Sequence, residues 1–259
     1  MDGALEFCVL GPLRVHRHGA EHVIAGRRER TLLAALLLTP GEPTEVERLA
    51  QLMWPATKPR DVPHALRTHI MRLRRHVGRD RIETSPGAYA LRLERAAVDA
   101  HRFDDTVATA TAHLVARQLE QAEAMLAAAL EIWPHGAPYI DLAGTDIGEA
   151  ERARLTEERS EVEERLAAVQ LAMHLSPLVD IERLALECPL RENRWLLLMY
   201  ALSISGQQAR ALRSYATIRT RLRQELGLNP DRRLQDLEHR ILEQDPQLPE
   251  LDPLSFVLA

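Results

Sequence analysis

The segment RDVPHALRTHIMRLRRH, residues 60–76, has the spacing of one amphipathic helix. Its apolar side chains recur every three or four residues and form one stripe: Val62, Leu66, Ile70, Leu73 and, just beyond, Val77. At about 100° per residue, the opposite side carries His64, Thr68, Met71, Arg72 and Arg75, with Arg67 and Arg74 on the flanks. Such a helix can pack on its own domain and still present hydrogen-bond donors to the major groove of DNA. A solvated surface helix would show the same pattern, so the neighbouring segments have to distinguish the two interpretations.

The bulk composition is that of a water-soluble globular protein. The 259 residues are 46% hydrophobic and 27% charged, and this length suits one large or two ordinary domains. The longest apolar runs, such as residues 32–38, are too short to cross a bilayer, and the start MDGALEF has no export-signal pattern. The two cysteines, Cys8 and Cys188, lie far apart, so no structural disulfide is expected. We therefore expect a cytoplasmic protein without membrane association.

The net charge of −5 conceals an asymmetry along the chain. Residues 1–98 contain 16 Lys and Arg against 11 Asp and Glu, whereas the remainder contains 17 against 27. Residues 58–81 alone hold eight basic and two acidic side chains. A basic front half joined to an acidic rear half indicates that the front half meets a polyanion.

The segments before residue 60 predict short strands and two helices. Residues 5–15 are typical of two strands broken at Gly11-Pro12, and residues 22–25 of a third. Residues 27–38 predict a helix that ends at Pro40-Gly41. Residues 44–47 have the spacing of a capping box, in which a hydroxyl and a carboxylate three residues later cap a second helix that reaches about Trp54.

A β-hairpin is predicted directly after the basic helix. Apolar and polar residues alternate over residues 81–93 around Ser85-Pro86-Gly87. Strands, three helices and a hairpin, in this order, are the plan of a winged helix-turn-helix domain, in which the third helix enters the major groove. We assign this DNA-binding domain to residues 1–98.

Strands are not expected after residue 98, and the fold class is therefore mainly α. Antiparallel helix pairs in this rhythm predict a tetratricopeptide-like helical-repeat domain over residues 99–245, followed by a tail at 246–259 with three prolines from Pro246 onward. The predicted helices cover residues 103–114, 118–132, 147–174, 178–187, 192–205, 209–226 and 231–244.

Catalytic and metal-binding patterns are absent from the sequence. It holds no phosphate-binding loop, no dinucleotide fingerprint, no nucleophile elbow and no H-E-x-x-H pair, so neither an enzyme nor a cofactor is expected. His16, His18 and His22 lie close together, but no cysteine or carboxylate joins them at a familiar ligand spacing, and no metal site is expected.

Read together, the segments resemble the SARP family, the antibiotic-regulatory class of actinobacterial transcription activators. The resemblance covers residues 7–245, and its strength lies in the order and spacing of many short pieces. These include FCVLGPLRV (7–15), GRRERTLLAALLL (26–38), VERLAQLMW (46–54), ALRTHIMRLRRHVGRDRIET (65–84) and LRQELGLNPDRRLQDLEHRIL (222–242).

The resemblance implies a function, partners and site residues. Members join a winged helix to a bacterial transcriptional activation domain, bind double-stranded DNA at direct repeats as pairs, and recruit RNA polymerase holoenzyme. Many switch on secondary-metabolite gene clusters. By resemblance, a homodimer forms on DNA, and the loop 54–59 with its neighbour faces the polymerase through Trp54, Thr57, Lys58 and Arg60.

The family's basic positions can be matched residue by residue. Matches on the recognition helix are Arg67, Arg72, Arg74 and Arg75, with His64 and Thr68 on the same outward face. Arg28 and Arg30 match the basic pair at the start of the first helix, and the further candidates Arg81 and Tyr89 lie on the wing arms. The sequence departs from the family at Ala88, where a glycine is usual, and at His64, where a small polar residue is common.

Two other functional classes remain open at this point. The helical repeats could form a protein-interaction scaffold whose front domain is degenerate, or they could hold a pocket for a small effector. A scaffold has no need of the arginine-bearing face at residues 67–75, and nothing in the sequence locates an effector pocket.

Overall fold

The computed structural model describes residues 5–133 and 136–258. The chain divides into two compact units that interleave in sequence: Met1–Thr106 with Ala129–Glu158, and Val107–Ala128 with Arg159–Ala259. The sequence instead predicts a single domain boundary, after residue 98, with each domain continuous in sequence. That boundary stays a prediction.

The first unit begins with a three-stranded antiparallel sheet. Its strands β1 (Leu5–Cys8), β2 (Arg14–Arg17) and β3 (Ala20–His22) lie in sequence order. Phe7 pairs with Val15, and both side chains are buried. The predicted range of the third strand, residues 22–25, is wrong by two to three residues, because β3 covers Ala20–His22. A tight turn with positive φ at His18 and Gly19 returns the chain at once, so pairing starts at residue 20.

Three helices follow, as the sequence predicts. They are α1 (Arg27–Leu37), α2 (Val46–Met53) and α3 (Val62–Val77). The buried stripe of α3 consists of Leu66, Ile70, Leu73 and Val77, each no more than 1% exposed. This burial against the rest of its domain fixes which face of α3 is turned outward.

The capping box predicted at residues 44–47 is wrong. Thr44–Glu45 forms a short strand, β4. Helix α2 starts at the next residue, Val46, and no side chain caps its N-terminus. Strand β4 pairs with β6 (Ala88–Leu91), which pairs with β5 (Ile82–Ser85), so the sheet order is β4-β6-β5. The backbone of Thr44 is thus used in the sheet, and its side chain is 7% exposed.

The β5–β6 hairpin is the wing that the alternation predicts. Its turn contains Gly87 at φ +76°, a conformation that glycine adopts without steric cost. The amide of Val46 donates to the carbonyl of Gly87 at 2.9 Å, which ties the hairpin tip to the start of α2. Strands, three helices and a hairpin therefore form a winged helix-turn-helix domain.

Two distant aspartates complete the first unit. Asp99, which is 5% exposed, accepts hydrogen bonds from the amides of Val9 and Leu10 at 2.7 and 3.2 Å. Burial raises the pKa of the Asp99 carboxyl, although these bonds and one from Ala100 act against the rise. Asp141 accepts from the amide of Leu13 at 3.0 Å. Segments far apart in sequence are thereby fastened to the N-terminal sheet.

The remaining helices continue without strands through the described part of the chain. Helix α4 begins at Asp99, four residues before its predicted start, because it follows directly on a short 3-10 turn at Arg95–Ala97. The seven helices are α4 (Asp99–Val115), α5 (Leu119–Ile132), α6 (Asp146–Ala172), α7 (Leu178–Glu187), α8 (Glu192–Ile204), α9 (Gln208–Glu225) and α10 (Arg232–Leu242).

Helix α8 is the centre of the second unit. Eight consecutive side chains, from Trp195 to Leu202, are buried, as expected for a helix covered on all sides. Beside them the guanidinium of Arg194 is 1% exposed and donates to Glu164 at 3.1 Å and Glu163 at 2.8 Å. Arg191 also bonds Glu164, so the buried carboxylate of Glu164 is compensated by two arginines.

The segment predicted as a tail at 246–259 is ordered over its described residues. Leu248, Leu254 and Phe256 are buried, and Phe256 meets the ring of Tyr200 edge-on at a centroid distance of 5.5 Å. The hydroxyl of Tyr200 lies within hydrogen-bond distance of the carbonyl oxygens of Pro249 and Leu251 and can donate its one proton to either. Pro249 and Pro253 lie in two 3-10 turns whose leucine and phenylalanine side chains are buried, and Phe256 of the second turn packs on α8.

Candidate nucleic-acid interface

Helix α3 presents a polar outer face that its buried stripe orients. Asp61 caps the helix by accepting from the amide of His64 at 2.9 Å, and the helix ends at Gly78 with φ +103°. The side chains of His64, Arg67, Met71, Arg72 and Arg75 are exposed, and that of Thr68 is half-buried. The structure therefore brings the recognition-helix residues matched above together on one helix, five of them on this outer face.

The arginines of α3 have different surroundings. The guanidinium of Arg74 donates from Nη2 to the carbonyl of Ile82 at 2.7 Å and to Oγ1 of Thr84 at 2.9 Å. It thus joins α3 to the wing. Arg67 donates only to a carbonyl of its own helix, that of Pro63, at 3.2 Å. Among the described residues, Arg75 has no hydrogen-bond or ion-pair partner.

Arg72 is bound to a buried carboxylate on α1. Glu29, 7% exposed, receives hydrogen bonds at one oxygen from Nδ1 of His69 at 3.1 Å and from Nη1 of Arg72 at 3.3 Å. Burial alone raises the pKa of the Glu29 carboxyl, but the bonds from His69, its own amide and Arg72 outweigh burial and hold it below its ordinary value. Glu29 is therefore ionised at neutral pH.

The two arginines matched on α1 differ in whether their guanidinium groups are already bound to other parts of the first unit. The exposed Arg28 lies over the ring of Trp54, with its guanidinium carbon 5.4 Å from the ring centroid. Arg30 is occupied within the first unit: its Nε donates to Asp141 at 2.9 Å, and its Nη1 donates to the carbonyls of Ile24 and Ala25 at 3.1 Å.

The two residues matched on the wing arms are less accessible than the resemblance implies. Tyr89 is 6% exposed and lies in the central strand of its sheet, opposite Thr44 and Thr84. Arg81 is half-buried, and its Nε has no hydrogen-bond partner within the described residues. In this structure Tyr89 is a packing residue, and the exposed tip of the wing is formed by Ser85, Pro86 and Gly87.

The loop between α2 and α3 is anchored at one end and exposed along the rest. Trp54 is buried at 7% exposure and contacts the ring of His69 at a centroid distance of 5.9 Å. Thr57, Lys58 and Arg60 are exposed, and the ammonium of Lys58 pairs with Glu47. The three exposed side chains are available to a partner, whereas the indole holds the loop on the domain.

Two histidines meet at the other end of α3. Nε2 of His22 and Nδ1 of His76 share a hydrogen bond of 2.9 Å, and Arg17 donates to the carbonyl of His76 at 3.2 Å. Burial, followed by the neighbouring His22, lowers the pKa of His76. Within residues 5–133 and 136–258, no group of three or more potential ligands could hold a metal ion.

Glu29 and Asp141, the carboxylates that bind Arg72 and Arg30 in the structure, were not identified from the sequence. A signal for Glu29 was present, because it precedes Leu32 and Leu33 by three and four residues and so lies on the apolar stripe of α1. A carboxylate on an apolar stripe calls for a buried partner. Asp141 lies in a segment rich in glycine and proline and has no local pattern that reveals its partners.

No helix among the described residues has the length and apolar character needed to span a membrane.

Two family models match the chain: the bacterial transcriptional activator domain over residues 98–242, and the C-terminal domain of transcriptional regulatory proteins over residues 20–88. Together they cover the helical part and most of the winged helix.

Known regulators are similar along nearly the whole chain. The regulatory protein AfsR of Streptomyces griseus is 35% identical over 95% of this chain, which spans about a quarter (25%) of the length of AfsR. The regulatory protein DnrI of Streptomyces peucetius is 30% identical, and the match covers 93% of each protein.

A solved structure agrees with these matches. Mycobacterium tuberculosis EmbR, in a complex with a low-affinity phosphopeptide, superposes with a TM-score of 0.90 at 26% identity, over 98% of this chain and 69% of EmbR. The winged helix, the helical domain and these relatives lead to one conclusion: the chain belongs to the SARP family of transcriptional activators.

Proposed function

We propose that the chain activates transcription by binding promoter DNA through the outer face of α3. The observation that carries this proposal is the separation of the two faces of α3: its apolar stripe is at most 1% exposed, while Arg67, Arg72 and Arg75 project outward. In a winged helix-turn-helix domain this face enters the major groove. DNA binding is assigned to residues 1–98, and residues 99–245 are assigned to pairing of two copies and to contact with the polymerase.

The contacts divide between phosphates and bases. Arg28, Arg67 and Arg75 are exposed and are assigned to the sugar-phosphate backbone or the groove edge, where they give affinity without sequence choice. His64, Thr68 and Arg72 are assigned to base edges. Arg30, Arg74, Arg81 and Tyr89 support the surface from within, because each is buried, half-buried or bound to its own chain.

The test is a pair of double variants that remove the same number of charges. We expect Arg67→Ala with Arg75→Ala to weaken binding to a selected promoter fragment at least tenfold in a fluorescence-anisotropy titration. The control, Arg219→Ala with Arg232→Ala, removes two exposed arginines from α9 and α10 and should bind normally. Circular dichroism verifies that both variants are folded, and equal binding by the two would refute the assignment of α3.

Recruitment of RNA polymerase holoenzyme is assigned to the loop 54–59 with Arg60. Thr57, Lys58 and Arg60 are its exposed side chains near α3. We expect Thr57→Ala with Arg60→Ala to bind DNA within about twofold of the wild type and to lose activated transcription in a reaction with purified holoenzyme. Unchanged activation by this double variant would refute the assignment of polymerase contact to the loop 54–59.

Two copies are proposed to bind a direct repeat, in the cytoplasm, upstream of a secondary-metabolite gene cluster. No catalytic step is assigned to the chain. Sequencing of the genomic fragments bound by the purified protein would reveal the site, the spacing of its repeats and the adjacent genes. Bound fragments without a repeated element would contradict the paired arrangement.

A further inference from the structure

The pair of Glu29 and Arg72 differs from every other arginine contact on α3. Glu29 is nine-tenths buried, yet its partner Arg72 has a side chain that is 57% exposed. One end of the guanidinium, Nη1, is held at the carboxylate, 3.3 Å away. The other end points away from this bond, because the guanidinium group is rigid and planar.

His69 reinforces the position of the carboxylate. It lies three residues before Arg72 on α3, and it bonds the same oxygen of Glu29 at 3.1 Å. The hydrogen bonds that Glu29 receives hold it ionised, so it attracts the guanidinium as a full negative charge. Arg72 therefore has a defined direction before any ligand is bound.

A guanidinium of fixed direction suits bidentate contact with a single base. Guanine offers two acceptors, O6 and N7, to two parallel donors. With Nη1 engaged, Nε and Nη2 of Arg72 remain as a parallel pair, and little rotamer entropy is left to lose on binding. The negative charge of Glu29 behind Arg72 also offsets its attraction for phosphates in general.

The other arginines of α3 lack this arrangement within the described residues. Arg75 has no fixed partner, Arg67 is tied only to a carbonyl of its own helix, and Arg74 is joined to the wing. We infer that Arg72 reads one guanine through Nε and Nη2 and that Glu29 is the positioning residue for this contact. The inference rests on the proposed DNA-binding function. It adds two things to that function: the base that is recognised, a guanine, and the residue that orients Arg72, which is Glu29.

The experiment starts from a wild-type site chosen by in vitro selection of random DNA. We expect a guanine at one position whose preference over the other bases disappears in Arg72→Ala and Arg72→Lys, a change of about 5- to 150-fold in relative affinity. Affinity for a site lacking that guanine should stay within about twofold, and the dependence of binding on salt should not change.

Glu29→Gln tests the positioning role. It retains Arg72 but removes the charge that holds it, so the same guanine preference should fall. In the Arg72→Ala background, Glu29→Gln should cause no further loss of preference, because the two residues act as one unit. The core variant Leu13→Ala controls for destabilisation, because it truncates a buried apolar side chain outside α3, and it should keep the preference.

The outcomes separate this inference from the proposed function. Absence of any selected site for the wild type would refute DNA recognition as a whole. If a site is found but Arg72→Ala weakens all sequences equally and flattens the salt dependence, Arg72 is a phosphate contact and the inference is wrong. If Glu29→Gln keeps the full preference, the positioning role is wrong. Should Glu29→Gln not fold, Glu29→Asp, which shortens the side chain and withdraws the carboxylate from Arg72, takes its place in the same test of the positioning role. Arg72→Lys tests the base contact by itself, since the side chain of Arg72 is largely exposed.

Discussion

The hydrogen bond between His22 and His76 makes the stability of the front domain depend on pH. Two imidazoles can share one hydrogen bond only when at least one ring is neutral. Burial and then the neighbouring His22 lower the pKa of His76; Glu29 acts against them, and Arg75 adds the smallest lowering effect. The folded chain therefore binds a proton at His76 less readily than the unfolded chain does. The stabilising contribution is complete above the ordinary histidine pKa of about 6.5 and is lost as the pH falls from there through the folded value.

We predict that His76→Gln removes part of this pH dependence. Urea unfolding measured between about pH 7.5 and pH 5 should show a free energy of unfolding that falls with decreasing pH in the wild type and falls less in the variant. His64→Gln, on the exposed side of the same helix, serves as the control and should follow the wild type. Parallel curves for His76→Gln and the wild type would contradict the prediction.

The buried carboxylate of Asp99 supports a second prediction at the scale of one residue. Its oxygens accept from the amides of Val9, Leu10 and Ala100. Asp99→Ala would leave these buried donors without partners, so we expect a loss of about 2–4 kcal/mol in the free energy of unfolding. Asp105→Ala, which removes an exposed partner of Arg95, should cost less than about 1 kcal/mol in the same denaturation experiment. Similar losses for both would show that the amides of Val9 and Leu10 do not depend on Asp99.

At the scale of the element, the two faces of α3 should respond differently to truncation. Leu73 is fully buried and Met71, two residues before it, is 60% exposed. We predict that Leu73→Ala lowers the free energy of unfolding by about 2–5 kcal/mol, while Met71→Ala changes it by less than about 0.5 kcal/mol. Equilibrium unfolding in urea, followed by circular dichroism, measures both. An equal effect would mean that α3 is not packed by the stripe of Leu66, Ile70, Leu73 and Val77.

The elements that the sequence predicts well are those with a repeating local pattern. Helix α3 and the wing hairpin follow directly from a period of three to four residues and from strict alternation. Strand β4 was missed because its two residues, Thr44–Glu45, contain no period and gain their structure from pairing with β6, more than 40 positions later. The ordered C-terminal turns were missed for a similar reason: their apolar residues find partners on α8 that no local spacing reveals.

The candidate surface was predictable in outline and not in detail. Helical geometry places Arg72 and Arg75 on the outer side and Arg67 on a flank, and the structure shows all three exposed. The same geometry treats Arg74 as a comparable candidate, yet its guanidinium is bound to Ile82 and Thr84. What distinguishes one arginine from another is its partner in another element, and the periodicity of a single helix contains no such information.

At the scale of the whole chain, charge is divided along the sequence. Residues 1–98 carry five more basic than acidic side chains, and the remainder carries ten more acidic than basic ones. In the rear part, many acids of α6 are already paired with arginines one turn away, such as Glu161 with Arg165 and Glu158 with Arg154. The positive side chains of α3 are less compensated, and a polyanion should therefore be attracted chiefly to the front part.

This distribution predicts a salt dependence that specific residues control. Each phosphate contact contributes about 0.9 to the slope of log affinity against log salt concentration, because a bound counterion is released. Arg67 is exposed on the flank of α3 with a bond only to its own helix, so we assign it to a phosphate. Arg67→Ala should lower the magnitude of the slope by about 0.9 and weaken binding to all DNA sequences by a similar factor. Arg232→Ala, which removes an exposed arginine from α10, should leave the slope unchanged. Anisotropy titrations between about 50 and 200 mM salt measure both, and a change of base preference with an unaltered slope would identify Arg67 as a reader of bases instead.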